Sequence, residues 1–359
     1  DPSRTTSGRL WWPWATDSWM NPGSPSAEHS WSCGWIGVGP PPRIRGKTVW
    51  RRGTEAQTGQ GNYSWKDAVI HDPAPEHPAP GVHWPERVVP LHRLPPGYER
   101  SLIRHRGPPA TPSPAATLML LRSGHRGLEV LLLKRGPRTR FIPGAYVFPG
   151  GRVDPEDASA HDEALVGKAS TEGAPTLAEV TPAEPPPMAF AIAALRETFE
   201  ETGILLDAAS EAPTSVPMKG RETGSVMREG LHQGKLGFPS VLDRLGATLG
   251  VDRITYVGHW TTPVQERYRY NTRFFASQVP STCAAYPDGV EMVEGLWLTP
   301  LEALDRNRQG MLPLVIPTMV TLESLALFDS PGAAIQALGG REIPRLLPRV
   351  EVSDGGVRV

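Results

Sequence analysis

Apolar and polar residues fall into three regimes along this 359-residue chain. Residues 1–85 hold no period of 2 or 3.6. Trp11, Trp12, Trp14, Trp19, Trp31 and Trp35 stand there among Pro, Gly, Ser and Arg. With little aliphatic material to bury, this stretch is expected to be largely disordered, either an aromatic-basic binding arm or a plain extension. Residues 86–115 stay proline-rich and read as a linker, so residues 1–115 form the expected extension. Organised sequence starts at Ala116. Thr117–Leu121 is a buried-strand run, Ser123–Gly127 is turn chemistry, and Leu128–Lys134 completes a hairpin. Tyr146–Phe148 is a third strand, stopped by Pro149-Gly150-Gly151.

The pattern then breaks over residues 158–187, rich in Ala, Glu, Thr and Pro. This reads as an insertion with at most one short helix. Met188–Thr202 gives the clearest helix. Met188, Ile192, Leu195 and Phe199 share one face, and Gly203 supplies the C-terminal stop. Later strands are expected at Ile254–Trp260, Thr272–Val279 and Val290–Leu298. Helices are expected at Pro239–Leu249, Pro300–Asn307 and Pro317–Phe328. Mixed strands and helices predict an α/β (α+β) domain over residues 116–345, followed by a tail at 346–359. No internal repeat is visible.

Composition sharpens the division. Nine of the 11 Trp lie in residues 1–84, and 19 of the 40 Pro lie in residues 1–114. The net charge of −1 speaks against a nucleic-acid partner, which normally demands a basic excess. No apolar run approaches the ~18 residues that a membrane span needs. Cys33 and Cys283 are the only cysteines, too few for a disulfide framework or a cysteine-based zinc site. A reducing, cytoplasmic setting is expected, and no signal peptide is visible.

The chemistry concentrates in Arg196-Glu197-Thr198-Phe199-Glu200-Glu201-Thr202-Gly203. Glu197, Glu200 and Glu201 stand at i, i+3 and i+4, so they project from one side of the helix. Three such carboxylates resist simultaneous ionisation unless a hard divalent cation shares them. A solvated charge run would look the same in isolation. The glycine corner at Gly150-Gly151 adds a place where backbone can approach a ligand or metal closely.

Together these pieces resemble the Nudix hydrolase signature, G-x5-E-x7-R-E-U-x-E-E-x-G-U with U aliphatic. Gly151 matches its first glycine, and Arg196, Glu197, Glu200, Glu201, Gly203 and Ile204 match its second half. Asp157 stands where the first Glu belongs, Thr198 replaces an aliphatic residue, and 38 residues separate Asp157 from Arg196 instead of seven. Such an excursion is tolerable because loop closure cost grows only logarithmically with length. Leu131–Arg138, Phe141–Gly151, Trp260–Pro263, Thr272–Phe275, Gly295–Pro300 and Leu312–Thr318 resemble the (acyl-)coenzyme A diphosphatase branch with an interrupted Nudix box. The chain ends Val357-Arg358-Val359, unlike a Ser-Lys-Leu peroxisomal address.

The resemblance implies a Nudix α/β/α sandwich with a mixed central sheet. It also implies Mg²⁺- or Mn²⁺-dependent cleavage of a nucleoside diphosphate linked to another group. Coenzyme A or acyl-coenzyme A would give 3′,5′-ADP and (acyl-)phosphopantetheine. NADH, ADP-ribose or another dinucleotide would keep the chemistry, and a silent binding or regulatory module would keep only the fold. Glu200 and Glu201 would be the main metal ligands with a Gly150 or Gly151 carbonyl, and Glu197 a ligand or the general base. Arg196 would hold a carboxylate rotamer, Glu291 would be a further acid, and Arg135 and Arg138 would meet phosphate oxygens. Arg267, Arg269 and Arg273 form a second basic run that could meet a 3′-phosphate. The partner is a small nucleoside diphosphate; the oligomeric state is open.

Overall fold

The computed structural model describes residues 86–104, 108–139, 141–159, 184–210, 212–218, 220, 223–353 and 355–359. The extension over residues 1–85 and the bulk of the insertion, with its expected short helix, lie outside them. The described chain opens with β1 (Val88–Pro90) and α1 (Tyr98–Arg104). A long hairpin follows, β2 (Ser113–Gly124) and β3 (Gly127–Arg135), then β4 (Tyr146–Val147), β5 (Gly150–Arg152) and α2 (Pro155–Ser159). Beyond the insertion come α3 (Pro187–Thr202), β6 (Ile204–Leu205), β7 (Thr214–Ser215), α4 (Thr223–His232) and α5 (Phe238–Leu245). The rest is β8 (Thr255–Thr261), β9 (Tyr270–Gln278), β10 (Met292–Leu298), α6 (Pro300–Arg308), α7 (Ile316–Leu325), α8 (Pro331–Gly339), β11 (Arg345–Leu346), β12 (Glu351–Ser353) and β13 (Gly356–Arg358).

The central sheet runs β10-β3-β2-β9-β8-β11, with β4 added to β3 and β5 to β2. It is mixed: β2 pairs with β9 in parallel and with β3 and β5 antiparallel. Both its faces are covered. Ala116, Leu118 and Leu120 of β2 point into one core with Phe190, Ile192 and Phe199 of α3. Met119 and Leu121 point into the other, with Leu304 of α6, Met319 and Leu322 of α7, and Leu338 of α8. Full burial on both sides is why β2 and β3 read as unbroken apolar runs rather than alternating ones. Helix, sheet and helix therefore stack as the α/β/α sandwich expected from the sequence. Among the described residues no helix is long and apolar enough to cross a membrane.

α3 runs through the core. Its start is set by Pro187 at the first helical position and its end by Gly203, which takes a left-handed φ of 74°. Residues 189–195 are buried on every side, beyond the single apolar stripe that the periodicity predicts.

Three expectations need correction. Residues 86–104 are not a linker: β1 pairs with β13, and Val89, Leu94, Tyr98 and Leu102 are buried in the second core. Residues 346–359 are likewise no loose tail, because β12 and β13 close a small sheet on β1. The helix expected at 239–249 stops at Leu245, where Gly246 turns left-handed with φ 63°. α4 and α8 carry no sequence expectation, although Ser330 caps α8 and Pro331 starts it.

Candidate active site

The glycine corner meets the acidic helix. β5 pairs with β2 so that Gly150 faces Thr117 and Gly151 faces Ala116. Gly150 has φ 153°, and a Cβ there would strike the Ala116 carbonyl and Thr117. Its N–H donates to Glu201 Oε2 at 3.0 Å. Gly151 lies directly against the Glu197 carboxylate, where any side chain would collide with it. The long insertion therefore leaves the two halves of the motif in contact.

Arg196 ties the second half of the motif to the first. Its Nε donates to Asp157 Oδ1 at 2.9 Å and its Nη2 to Asp157 Oδ2 at 3.0 Å, a bidentate buried pair. Nη1 donates to Glu197 Oε1 at 3.1 Å and to Glu200 Oε1 at 3.0 Å, and Nη2 also reaches the Arg152 carbonyl at 2.9 Å. The shorter Asp157 thus still reaches the arginine, held by its own bond from the Asp154 N–H at 2.7 Å. Arg196 is spent on these contacts, the carboxylate pairing expected of it among them, and does not line the cavity.

Burial dominates the electrostatics. It pushes the Glu197 pKa up to about 8, against the pull of the Arg196 guanidinium and with help from Glu200. Glu201 is raised well above the ordinary range by burial and by the charge of Glu197, with the Gly150 N–H and Arg135 opposing. Glu200 and Asp157 are raised by burial, each with Arg196 working the other way. Arg196 offsets only part of what burial and mutual repulsion impose on these carboxylates.

Glu197 and Glu201 border a cavity of about 460 Å³. Glu197, Glu201, Gly150, Gly151, Arg135 and Glu291 all line it, so the structure brings together residues spread over more than half the described chain. The Arg135 Nε is anchored by the Phe141 carbonyl at 3.0 Å. Two of the expected residues are not on the wall. Glu200 is turned to Arg196 and does not line the cavity, and Arg138 is exposed and does not line it either. Arg273 is fully buried against Glu184, His259 and Asn271, and Arg269 donates to the Thr262 and Ala110 carbonyls. Neither lines the cavity.

Arg152, Tyr98 and Glu266 line the cavity without any sequence expectation. Arg152 had a local signal, standing next to Gly151. Glu266 had none, because only the fold brings the β8–β9 connection to α1. Among the described residues no three His, Cys, Asp or Glu side chains converge as a ready metal site. The residues that fit a hard divalent ion are Glu197 and Glu201, both on the wall and mutually repelling, with Glu291 raising the Glu201 pKa further.

The NUDT19 Nudix domain family profile matches residues 108–325. The acyl-coenzyme A diphosphatase NUDT19 of Gallus gallus is 30% identical over 243 residues, covering 56% of this chain and 62% of the relative. Its Homo sapiens counterpart is 29% identical over 254 residues, covering 62% and 64%. The chain therefore spans less than two thirds of the length of these curated relatives. The crystal structure of a Nudix hydrolase from Alicyclobacillus acidocaldarius superposes with a TM-score of 0.53 at 29% identity, covering 65% of this chain and 99% of that one.

Proposed function

Since this chain belongs to the NUDT19 Nudix domain family, we propose that it hydrolyses the pyrophosphate of coenzyme A or acyl-coenzyme A to 3′,5′-ADP and (acyl-)phosphopantetheine. The observation that carries this reading is the closure of the Gly150-Gly151 corner on Glu201 and Glu197 at a cavity wall. The substrate assignment leans on the names of the relatives.

Glu197 and Glu201 would hold Mg²⁺ or Mn²⁺, with a Gly150 or Gly151 carbonyl and Glu291 as further oxygen donors. Glu200 would join them only by leaving Arg196. When bound, such an ion neutralises phosphate charge and acidifies a water. The chain itself does the rest. Arg135 and Arg152 face the cavity as cations for phosphate oxygens. Glu291 or Glu197 takes the proton of the attacking water. Arg196 and Asp157 fix the helix against the loop, so the carboxylates do not wander. The sparse cysteines suit a reducing, cytoplasmic compartment.

A silent binding module is the second reading, favoured by the Arg196 guanidinium already holding the Glu197 and Glu200 carboxylates. Mass spectrometry of products decides. Coenzyme A and NADH are incubated side by side with the protein and Mg²⁺. The proposal expects 3′,5′-ADP from coenzyme A at the faster rate. Faster cleavage of NADH moves the substrate to another dinucleotide, and no product from either leaves the binding module.

A further inference from the structure

Among the described residues Ile142, in the turn from β3 to β4, is the one non-glycine with a positive φ, 46°. A β-branched residue is disfavoured there, because its Cβ crowds the following carbonyl oxygen. Gly144, two positions on, has φ 77° without that conflict. Such strain clusters at functional sites, where the surrounding structure holds it. Here the half-buried Ile142 side chain packs against the second core, and the residue lies on the cavity wall beside Phe141, whose ring meets Tyr270 edge-on with centroids 5.1 Å apart. The turn folds back on Arg135. The Arg135 N–H donates to the Ala145 carbonyl at 2.9 Å, and the Gly144 N–H donates to the Arg135 carbonyl at 3.0 Å. The Phe141 carbonyl accepts from Arg135 Nε at 3.0 Å, the one hydrogen bond of that side chain among the described residues.

φ is the rotation about the Ile142 N–Cα bond, so it sets how the rigid peptide plane joining Phe141 and Ile142 stands against the rest of the turn. An ordinary helical or extended φ would swing that plane by roughly 100° or more and take the Phe141 carbonyl off Arg135. With Nε held, the flat guanidinium keeps one orientation, and its two Nη groups remain for a ligand in the cavity that the residue lines. We propose that Ile142 is a positioning residue: its positive φ aims the Phe141 carbonyl at Arg135 Nε, and that bond holds the Arg135 fork ready for a phosphate oxygen. The backbone of Ile142 acts on the substrate through Arg135, and its side chain only keeps the turn in place. The inference rests on the pyrophosphatase reading above and deepens it by naming what orients a phosphate-binding cation.

The test compares wild type, Ile142→Gly and Ile142→Pro on coenzyme A with Mg²⁺, each also in an Arg135→Ala background. Glycine reaches the positive φ freely, whereas proline fixes φ at about −65°. The Ile142 N–H donates to no backbone carbonyl among the described residues, so proline removes no such bond. KM is expected to rise about tenfold in Ile142→Pro, the size of a weakened charged hydrogen bond. It should stay within about threefold in Ile142→Gly, which keeps the turn but not the side chain. Arg135→Ala alone should raise KM at least as far as Ile142→Pro does, and adding Ile142→Pro to it should change KM by less than about twofold. Unchanged KM in Ile142→Pro, an equal rise in Ile142→Gly, or a full further rise in the Arg135→Ala background overturns the assignment. Melting gives the check if the proline variant does not fold. Ile142→Gly should melt about 2–4 °C above Ile142→Ala, because only alanine resists the positive φ; equal melting removes the strain and the proposal with it. If wild type turns over no coenzyme A, the hydrolase reading fails separately, and calorimetric binding of pyrophosphate to the same variants takes over. Weaker binding in Ile142→Pro but not in Ile142→Gly then supports the positioning role; equal binding in all, or none in wild type, removes it.

Discussion

Asp157 and Arg196 are separated by 39 positions and the whole insertion, yet they form a bidentate buried pair. The energetic weight of such a pair lies in what its loss leaves behind, a desolvated guanidinium without its main partner. Asp157→Asn is therefore expected to destabilise the domain by about 3 kcal/mol, read from chemical denaturation. The carboxylates of α3 make a second prediction with a definite sign. Glu197 has its pKa raised from 4.5 to about 8 by burial, and Glu201 is raised as well. Between the ordinary value and the raised one, the folded state keeps protons that the unfolded chain has released. Metal-free stability must then fall as pH rises from about 5 to about 8. Mg²⁺ favours the ionised forms, so its stabilising shift in melting temperature should be larger near pH 8 than near pH 6. A shift that is constant or shrinks with pH would speak against ion binding at these two residues.

At the scale of elements, local signals and tertiary pairing divide the work. The β2–β3 hairpin was readable because turn residues separate two apolar runs, and α3 because its period is strong and Gly203 ends it. The contact between the Gly150-Gly151 corner and α3 was readable only through the motif, since the insertion hides it from any local pattern. β1 and α1 were hidden for a different reason. The prolines around them suggest a linker, and what fixes them is pairing of β1 with β13 at the far end of the sequence and packing of α1 into the second core. Glu266 was invisible because Ser101, its partner, lies 165 positions away. This predicts the outcome of truncation. A chain starting at residue 86 should retain a cooperative unfolding transition. One starting at residue 116 loses Val89, Leu94, Tyr98 and Leu102 from the second core, at roughly 1.5–3 kcal/mol for each aliphatic side chain. It should aggregate or melt broadly in calorimetry. Equal melting curves for the two would contradict the account of β1 and α1 as parts of the domain.

For the whole molecule, the sandwich brings two kinds of surface to one cavity. One region is acidic, where β5 meets α3; another is aromatic, shaped by α1, the β8–β9 connection and neighbouring loops. The arrangement suits a substrate that is anionic in one part and largely uncharged in another. Ion binding is where this reading is most exposed, and manganese titration followed by electron paramagnetic resonance measures it directly. Wild type should take up Mn²⁺ and lose the signal of the free ion. Glu201→Gln and Glu197→Gln should weaken that binding at least tenfold, with a smaller loss in Glu200→Gln, whose carboxylate is held by Arg196. Binding that is absent in wild type, or untouched by Glu197→Gln and Glu201→Gln, would contradict the account.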